Sequence, residues 1–258
     1  MSFALKRKLP KIYNFFKKFE KYIPASTYLL DNKKYLVNLK IISMLSHWKN
    51  YPRLKAEADT VFHFYNGGDF IDIGAYHGVY SFLLAPKAKH NDTFLLCEPD
   101  DSETKDLLDN LKYLKKLFSK IYFKACLEPI GNGKNVVKNP TIYGHPVYSS
   151  EKEVSNSDLK NQNIIKSVAL DEIVKKLNMN PAFVKIDVEG AEYNVIEGMK
   201  NILQSSKPII MVEKHPTLIP QNISINQIDN LLIENGYKLE KQIFKDEIAI
   251  TEIWKNLS

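Results

Sequence analysis

The sequence predicts an α/β fold built on a mostly parallel sheet of seven strands, and three observations support this prediction. Short apolar runs alternate with helical patterns from about residue 67 onwards, which is the order typical of a parallel sheet. Two of these runs end in an acid followed by a glycine turn, at Asp72 and Asp187. The last two runs, 237–242 and 248–254, are close enough in sequence to form an antiparallel hairpin at one sheet edge.

The other elements follow from the spacing of apolar residues and of turn residues. We predict strands ending at Asp72 and over 94–98, 121–126, 183–187 and 208–213, and helices over 79–85, 101–117, 168–177, 191–203 and 225–235. Residues 132–164 are polar and rich in turn residues, so we expect a long loop there. Residues 1–64 carry helical patterns over 11–22, 28–48 and 51–64, which predicts a helical extension (1–64) before a catalytic domain (65–258).

The charge pattern bears on the partners of the chain. The net charge is +6, and residues 1–24 hold seven basic residues against one acid, so the remaining residues are neutral overall. A basic patch confined to one end is poor evidence for a nucleic-acid enzyme, and we expect no such partner. The two cysteines, Cys97 and Cys126, lie in apolar strand-like runs, which favours reduced thiols and a cytoplasmic location.

The basic N-terminal helix predicted over 11–22 has one aromatic face flanked by lysines. Such a face fits peripheral contact with a membrane. It equally fits packing over the sheet or against a second copy of the chain in a homo-oligomer, and we favour packing.

The turn after Asp72 and the end of the next strand predict a ligand site. The spacing Gly74-x-x-x-Gly78 lets a ligand approach the backbone at the start of a helix. A dinucleotide fingerprint would need glycine where Tyr76 stands, which disfavours a pyrophosphate. Glu98 ends the next strand, where a carboxylate can accept hydrogen bonds from two ribose hydroxyls. We therefore expect an adenosyl ligand without a pyrophosphate, and keep two alternatives: a nicotinamide-dependent oxidoreductase and a non-enzymatic membrane-associated module.

Five motifs between about residues 66 and 216 together resemble one known family. They are Asp72-x-Gly74-Ala75-x-x-Gly78, Cys97-Glu98-Pro99, Ser167-Val168-x-Leu170-Asp171, the run Lys-Ile-Asp-Val-Glu-Gly-Ala-Glu from Lys185 to Glu192, and Val212-Glu213-x-His215. They resemble the FkbM family of S-adenosylmethionine-dependent methyltransferases. The resemblance implies a Rossmann-like class I methyltransferase fold, S-adenosylmethionine as cofactor, and O-methylation of a sugar or natural-product hydroxyl. We expect an acceptor hydroxyl on a nucleotide sugar, a capsular glycan or another surface glycan.

The resemblance also implies the residues that hold the cofactor. They are Asp72, Gly74, Ala75, Tyr76, His77, Gly78, Glu98 and Asp187. Of these, Tyr76 and His77 are expected on the loop nearest the methionine carboxylate. The chain departs from the family at Tyr76, where asparagine is common.

Four further side chains at the ends of the fourth and fifth strands are candidate catalytic residues: Lys185, Asp187, Glu213 and His215. Lys185 and Asp187 project to one side because strand side chains alternate, which makes Lys185 a buried counter-ion. Two routes for removing the acceptor proton stay open. In the favoured one His215 is the general base and Glu213 orients its imidazole. In the other, Asp187 and Glu213 hold Mg²⁺, Ca²⁺ or Mn²⁺. We expect residues 132–164 to shape the acceptor pocket.

Overall fold

A seven-stranded sheet forms the centre of the molecule. The computed structural model describes residues 19–142, 145–150, 164–220 and 222–257. The strands are β1 (Pro24–Tyr28), β2 (Lys34–Asn38), β3 (Asp69–Ile73), β4 (Thr93–Cys97), β5 (Tyr122–Cys126), β6 (Ile130–Gly131), β7 (Asn135–Ile142), β8 (His145–Ser150), β9 (Ile164–Lys166), β10 (Val168–Ala169), β11 (Pro181–Asp187), β12 (Ile209–Lys214), β13 (Tyr237–Lys245) and β14 (Ile250–Asn256). The helices are α1 (Leu39–Asn50), α2 (Pro52–Phe64), α3 (Val79–Leu84), α4 (Asp101–Leu117), α5 (Leu170–Leu177), α6 (Glu192–Glu197), α7 (Lys200–Ser205) and α8 (Ile225–Glu234).

The order of strands in the sheet is β13-β14-β12-β11-β3-β4-β5. The five strands from β12 to β5 pair in parallel, and β14 pairs antiparallel with both β12 and β13. The predicted sheet and its antiparallel edge hairpin are therefore confirmed. Strand β3 is the middle one of the five parallel strands and lies next to β11, so the two acid-bearing strand ends are neighbours.

Helices cover both faces of the sheet because its central strands are apolar on both sides. Phe70 and Phe183 face a core that also contains residues of α1 to α4. Their neighbours Ile71 and Val184 face a second core with residues of α5 to α8. The alternation of side chains along each strand thus assigns every helix to one layer.

The N-terminal extension differs from the predicted run of helices. Residues 24–38 form an antiparallel hairpin, β1 with β2, which turns at Asn32 with a positive φ of 59°. Helix α1 begins only at Leu39, where the Asn38 side chain accepts a hydrogen bond from the Ile41 N–H at 2.8 Å. The helix predicted over 28–48 was therefore wrong in its first half, while the helix predicted over 51–64 is confirmed as α2. The helix predicted over 11–22 lies outside the described residues up to residue 18, and the boundary at residue 64 stays a prediction.

The predictions for three further segments differ from the structure. Residues 191–203 form two short helices with Gly198 between them, and glycine is needed there because a Cβ would lie 1.8 Å from the Gly131 carbonyl oxygen of β6. The predicted helix over 168–177 begins only at Leu170, because Val168–Ala169 pairs in parallel with β6. The predicted loop 132–164 contains β7 and β8, and these join β9 in a small antiparallel sheet. Its residues 143–144 and 151–163 lie outside the described ranges, so its role in the acceptor pocket stays a prediction.

Across the described ranges, no helix is both long and apolar enough to cross a bilayer.

Candidate active site

A cavity of about 240 Å³ opens at the carboxyl ends of β3, β4 and β11. This is the edge of a parallel sheet at which ligands bind. The predicted site residues that line the cavity are Gly74, Ala75, Tyr76, Glu98, Lys185 and Asp187. Its apolar lining includes Trp48, Val79, Tyr80, Pro99, Pro129 and Ile130. Asp72 lies behind Lys185, and Glu213 and His215 lie beyond Asp187, as their contacts below show.

Gly74 joins the two acid-bearing strand ends. Its φ is +75°, and a Cβ at this position would lie 1.7 Å from the carbonyl oxygen of Asp187. The N–H groups of Gly74 and Ala75 both donate to the Cys97 carbonyl at 3.0 Å. The turn after β3 is therefore fixed against β4 on one side and β11 on the other, and only glycine fits there without displacing Asp187.

Glu98 is a buried carboxylate held at the cavity wall. Its Oε2 accepts a hydrogen bond from the Tyr76 N–H at 2.8 Å, and its Oε1 accepts one from the Asp100 N–H at 3.0 Å. Burial raises the pKa of Glu98, and these two hydrogen bonds oppose the rise. Each oxygen keeps a free lone pair for a hydroxyl donor in the cavity.

Tyr76 and His77 form a stacked pair with ring centroids 3.7 Å apart. Tyr76 has a left-handed φ of 49°, and its ring lies at the cavity. His77 Nε2 lies 2.7 Å from Glu103 Oε2 on α4, and burial lowers the pKa of His77. The structure therefore places Tyr76 at the cavity and the His77 imidazole against α4, which leaves the predicted contact of His77 with the cofactor without support.

Lys185 is the counter-ion of Asp187, as predicted, and also of Asp72, which was not predicted. Its Nζ lies 3.3 Å from Asp187 Oδ2, 3.4 Å from Asp72 Oδ1 and 3.3 Å from the Gly74 carbonyl. The charges of Asp187 and Asp72 raise the pKa of Lys185 although burial acts against them. Asp72 is fully buried, and neither of its carboxylate oxygens has a hydrogen-bond partner among the described residues. Burial raises the pKa of Asp72 to about 6.

His215 lies among four carboxylates. Its Nδ1 is 2.8 Å from Glu192 Oε1. Its Nε2 lies 3.5 Å from Glu213 Oε1, 3.7 Å from Glu189 Oε2 and 3.8 Å from Asp187 Oδ1. Burial alone would lower the pKa of His215, but the hydrogen bond to Glu192 and the negative charge of the surrounding carboxylates, Glu213 among them, raise it to about 11.

This environment bears on the predicted role of His215. The surrounding carboxylates raise the pKa of His215 and so favour its protonated form, which does not accept the proton of a substrate hydroxyl; the general-base role stays a prediction. Its orienting partner is Glu192 rather than the predicted Glu213, because only Glu192 lies at hydrogen-bond distance of a ring nitrogen.

Four residues in contact with the site were not predicted as functional: Glu189, Glu192, Arg53 and Glu57. Glu189 and Glu192 were noted only as members of the motif that begins at Lys185. Arg53 on α2 contacts Glu213 through its Nη2, and its Nε donates to Glu57 Oε1 at 2.9 Å. The sequence shows Arg53 and Glu57 as a pair four residues apart, which is typical of an exposed helix face. Glu57 is buried, so this pair lies in the protein interior beside the site.

A scan against protein-family models matches residues 72–239 to the methyltransferase FkbM domain. The match covers well over half of the chain. The chain belongs to the FkbM methyltransferase family. The predicted family is therefore confirmed, and with it the class I methyltransferase fold that the sheet order displays.

Solved structures add resemblances of fold. The methyltransferase FkbM from Methylobacillus flagellatus KT is 16% identical over 73% of this chain and 44% of that one, with a TM-score of 0.49. The precorrin-6y C5,15-methyltransferase from Geobacter metallireducens GS-15 is 12% identical over 81% and 90%, with a TM-score of 0.46. TrmK from M. capricolum, in complex with S-adenosyl-homocysteine, is 16% identical over 78% and 67%, with a TM-score of 0.42. The chain spans less than half the length of the first of these proteins. A search of curated proteins finds no match.

Proposed function

We propose that this FkbM-family methyltransferase uses S-adenosylmethionine to methylate a hydroxyl of a sugar, in a nucleotide sugar or a surface glycan. The observation that supports this most is the cavity at the strand ends. There the Glu98 carboxylate, the Gly74 turn and the half-buried Asp187 line one cavity.

The residues present fit the cofactor. The oxygens of Glu98 would accept hydrogen bonds from the two ribose hydroxyls, and the apolar wall of Pro99, Pro129 and Ile130 suits a purine ring. Asp72 and Asp187 present two carboxylates to the single cation of Lys185, which leaves negative charge where a cationic ligand would be stabilised. When bound, S-adenosylmethionine supplies a methyl group already activated by its sulfonium.

The remaining wall of the cavity supports a sugar acceptor. Trp48 and Tyr80 pack edge to face at 4.7 Å and both line the cavity. Aromatic rings beside a few fixed polar groups bind ligands that have apolar faces and many hydroxyls, and they exclude water from the reacting atoms.

Removal of the acceptor proton is the step that the side chains themselves support least. The carboxylates around His215 raise its pKa and so disfavour it as a base. Lys185 and His215 together keep the pKa of Asp187 below its ordinary value although burial opposes them, so Asp187 is a weak base. A sugar hydroxyl is a very weak acid. Its deprotonation needs either a stronger base or a group that lowers the pKa of the hydroxyl.

Calorimetry tests the cofactor. We expect S-adenosylmethionine and S-adenosylhomocysteine to bind the purified chain at one site and NADH not to bind. Binding of NADH without either adenosyl ligand would favour the oxidoreductase alternative and overturn the proposal. Transfer of a labelled methyl group to nucleotide sugars and glycans then tests the acceptor, and product methylated on nitrogen or carbon would contradict O-methylation.

We further propose that the protein works in the cytoplasm without a nucleic-acid partner and that the basic N-terminal segment packs on the protein or on a second copy. Co-sedimentation with anionic liposomes compares the full chain with one starting at Phe19. Pelleting that depends on the first 18 residues would support the membrane alternative instead.

A further inference from the structure

The Nε2 atom of His215 faces an acidic socket. Three carboxylate oxygens, from Glu213, Glu189 and Asp187, lie 3.5–3.8 Å from it. A hydrogen bond from a ring nitrogen to a carboxylate would be about 2.8 Å long. The three oxygens therefore lie around Nε2 but further away than a normal hydrogen bond, although His215 is only 5% exposed.

The spacing of these atoms fits a shared cation. Two donors each about 2.1 Å from a metal ion lie roughly 3.0–3.4 Å apart at octahedral or tetrahedral angles and further apart at wider angles. The donor atoms of Asp187, Glu213 and His215 all lie within 4.8 Å of one another. One ion at their centre would need small movements of the side chains only.

The opposite nitrogen of the imidazole is held as metal-binding histidines are held. Glu192 is fully buried, and its Oε1 both contacts His215 Nδ1 at 2.8 Å and accepts the Gly190 N–H at 3.0 Å. A carboxylate on one ring nitrogen fixes the tautomer and directs the other nitrogen at the metal. The Oε2 of Glu192 is buried with no hydrogen-bond partner among the described residues.

Two features of the backbone and outer contacts support the same site. Glu189 has a left-handed φ of 53°, an unfavourable conformation for a residue with a side chain, and it directs the carboxylate towards His215. Arg53 contacts Glu213 from α2 and orients it, as outer hydrogen bonds orient ligating carboxylates. A carboxylate oxygen has lone pairs for both a guanidinium and an ion.

We propose that Asp187, Glu213 and His215 hold a divalent cation, with Glu189 as a fourth donor. Oxygen donors with one imidazole suit Mn²⁺ better than Ca²⁺ or a soft metal. Asp187 connects this site to the cavity. A divalent ion bound there displaces the Nε2 proton and, at that rim, lowers the pKa of a nearby hydroxyl. That catalytic role rests on the proposed function, whereas the cation site itself does not.

Metal binding is tested without cofactor or acceptor. The full chain is stripped with a chelator, dialysed and titrated with Mn²⁺ by electron paramagnetic resonance and calorimetry. We expect one Mn²⁺ per chain, with at least tenfold weaker binding in His215→Ala and Glu213→Gln. Glu103→Gln is the matched control, because Glu103 also contacts a histidine, His77, outside the socket; it should bind Mn²⁺ as the wild type does.

The result that overturns the site is wild-type protein that shows no saturable Mn²⁺ binding at millimolar metal. Binding that survives in both His215→Ala and Glu213→Gln would also overturn it. Circular dichroism checks that each variant folds; Glu189→Gln, at the partly exposed rim, replaces any variant that does not. If S-adenosylmethionine still binds a chain that binds no Mn²⁺, the cation site is wrong and the proposed function stands.

Discussion

Comparing Gly74→Ala with Gly133→Ala should separate the cost of a steric clash from the cost of backbone strain. The two glycines have nearly the same backbone conformation, but among the described residues only Gly74 has a close contact at the position of a Cβ. Gly74 has a φ of +75° and Gly133 a φ of +81°. Among the described residues, a Cβ at Gly133 would meet only the Ala169 Cβ at 4.0 Å, an ordinary contact, whereas at Gly74 it would lie 1.7 Å from the Asp187 carbonyl oxygen.

The expected costs follow from these distances. An L-residue in the left-handed region costs about 1–2 kcal/mol, and this applies to both Gly74→Ala and Gly133→Ala. At Gly74 the Asp187 oxygen must also move by about 1.3 Å to reach 3.0 Å, below which real Cβ contacts are essentially absent. Such overpacking costs about 1–3 kcal/mol more. We therefore expect a loss of unfolding free energy of about 2–5 kcal/mol for Gly74→Ala and about 1–2 kcal/mol for Gly133→Ala.

Urea denaturation of the two variants measures the difference, and calorimetry with S-adenosylmethionine measures its consequence for the site. The movement of Asp187 should weaken cofactor binding at least tenfold in Gly74→Ala and leave Gly133→Ala within about twofold of wild type. Equal losses of stability in the two variants would refute the close contact between the turn and β11. Unchanged cofactor affinity in a destabilised Gly74→Ala would refute its role in binding.

Three other substitutions test the site. Glu98→Gln should weaken S-adenosylmethionine binding about tenfold in calorimetry. The control is Asp92→Asn, which should bind the cofactor normally, because the Asp92 carboxylate also accepts two backbone N–H bonds but lies elsewhere. Equal losses of affinity in the two variants would contradict the ribose contact. Asp72 has its pKa raised from 3.8 to about 6 in the folded state, so its ionisation opposes folding and stability is lost as pH rises through that window. Asp72→Asn should accordingly gain on the order of 1–3 kcal/mol relative to wild type between pH 4 and pH 8 in urea denaturation, and a pH-independent difference would refute this. Arg53→Ala removes the cation beside the buried Glu57 and should lower the unfolding free energy by about 1–3 kcal/mol, with Arg53→Lys in between; an unchanged melting temperature would show that the ion pair contributes nothing.

The central sheet could be predicted because its strands carry their own signal. β3 and β11 are apolar runs buried on both sides, and each ends in an acid before a glycine turn. The neighbouring positions of Asp72 and Lys185 follow from strand order and register. By contrast, the hairpin β1–β2 buries little on either face, so its period-two pattern is weak and the apolar residues around it also fit a helix.

The electrostatics of His215 could not be predicted from its spacing to Glu213. The carboxylates that surround it come from the strand ends of β11 and β12, the turn after β11 and the start of α6, and their combined charge exists only in the folded chain. Glu192 was visible in the sequence, but nothing local showed that it is buried or that its partner lies 23 residues away. The same holds for Arg53 and Glu213, which are separated by 160 residues.

The contact of Arg53 with Glu213 has a consequence for comparing members of this family. The family match begins at Asp72, so the helix that supplies Arg53 lies outside the shared domain. A relative could retain every motif residue and still present a different charge to the carboxylate of β12, simply because another segment precedes the domain. Grafting the N-terminal segment of one member onto the domain of another should therefore alter reactivity without changing any motif residue.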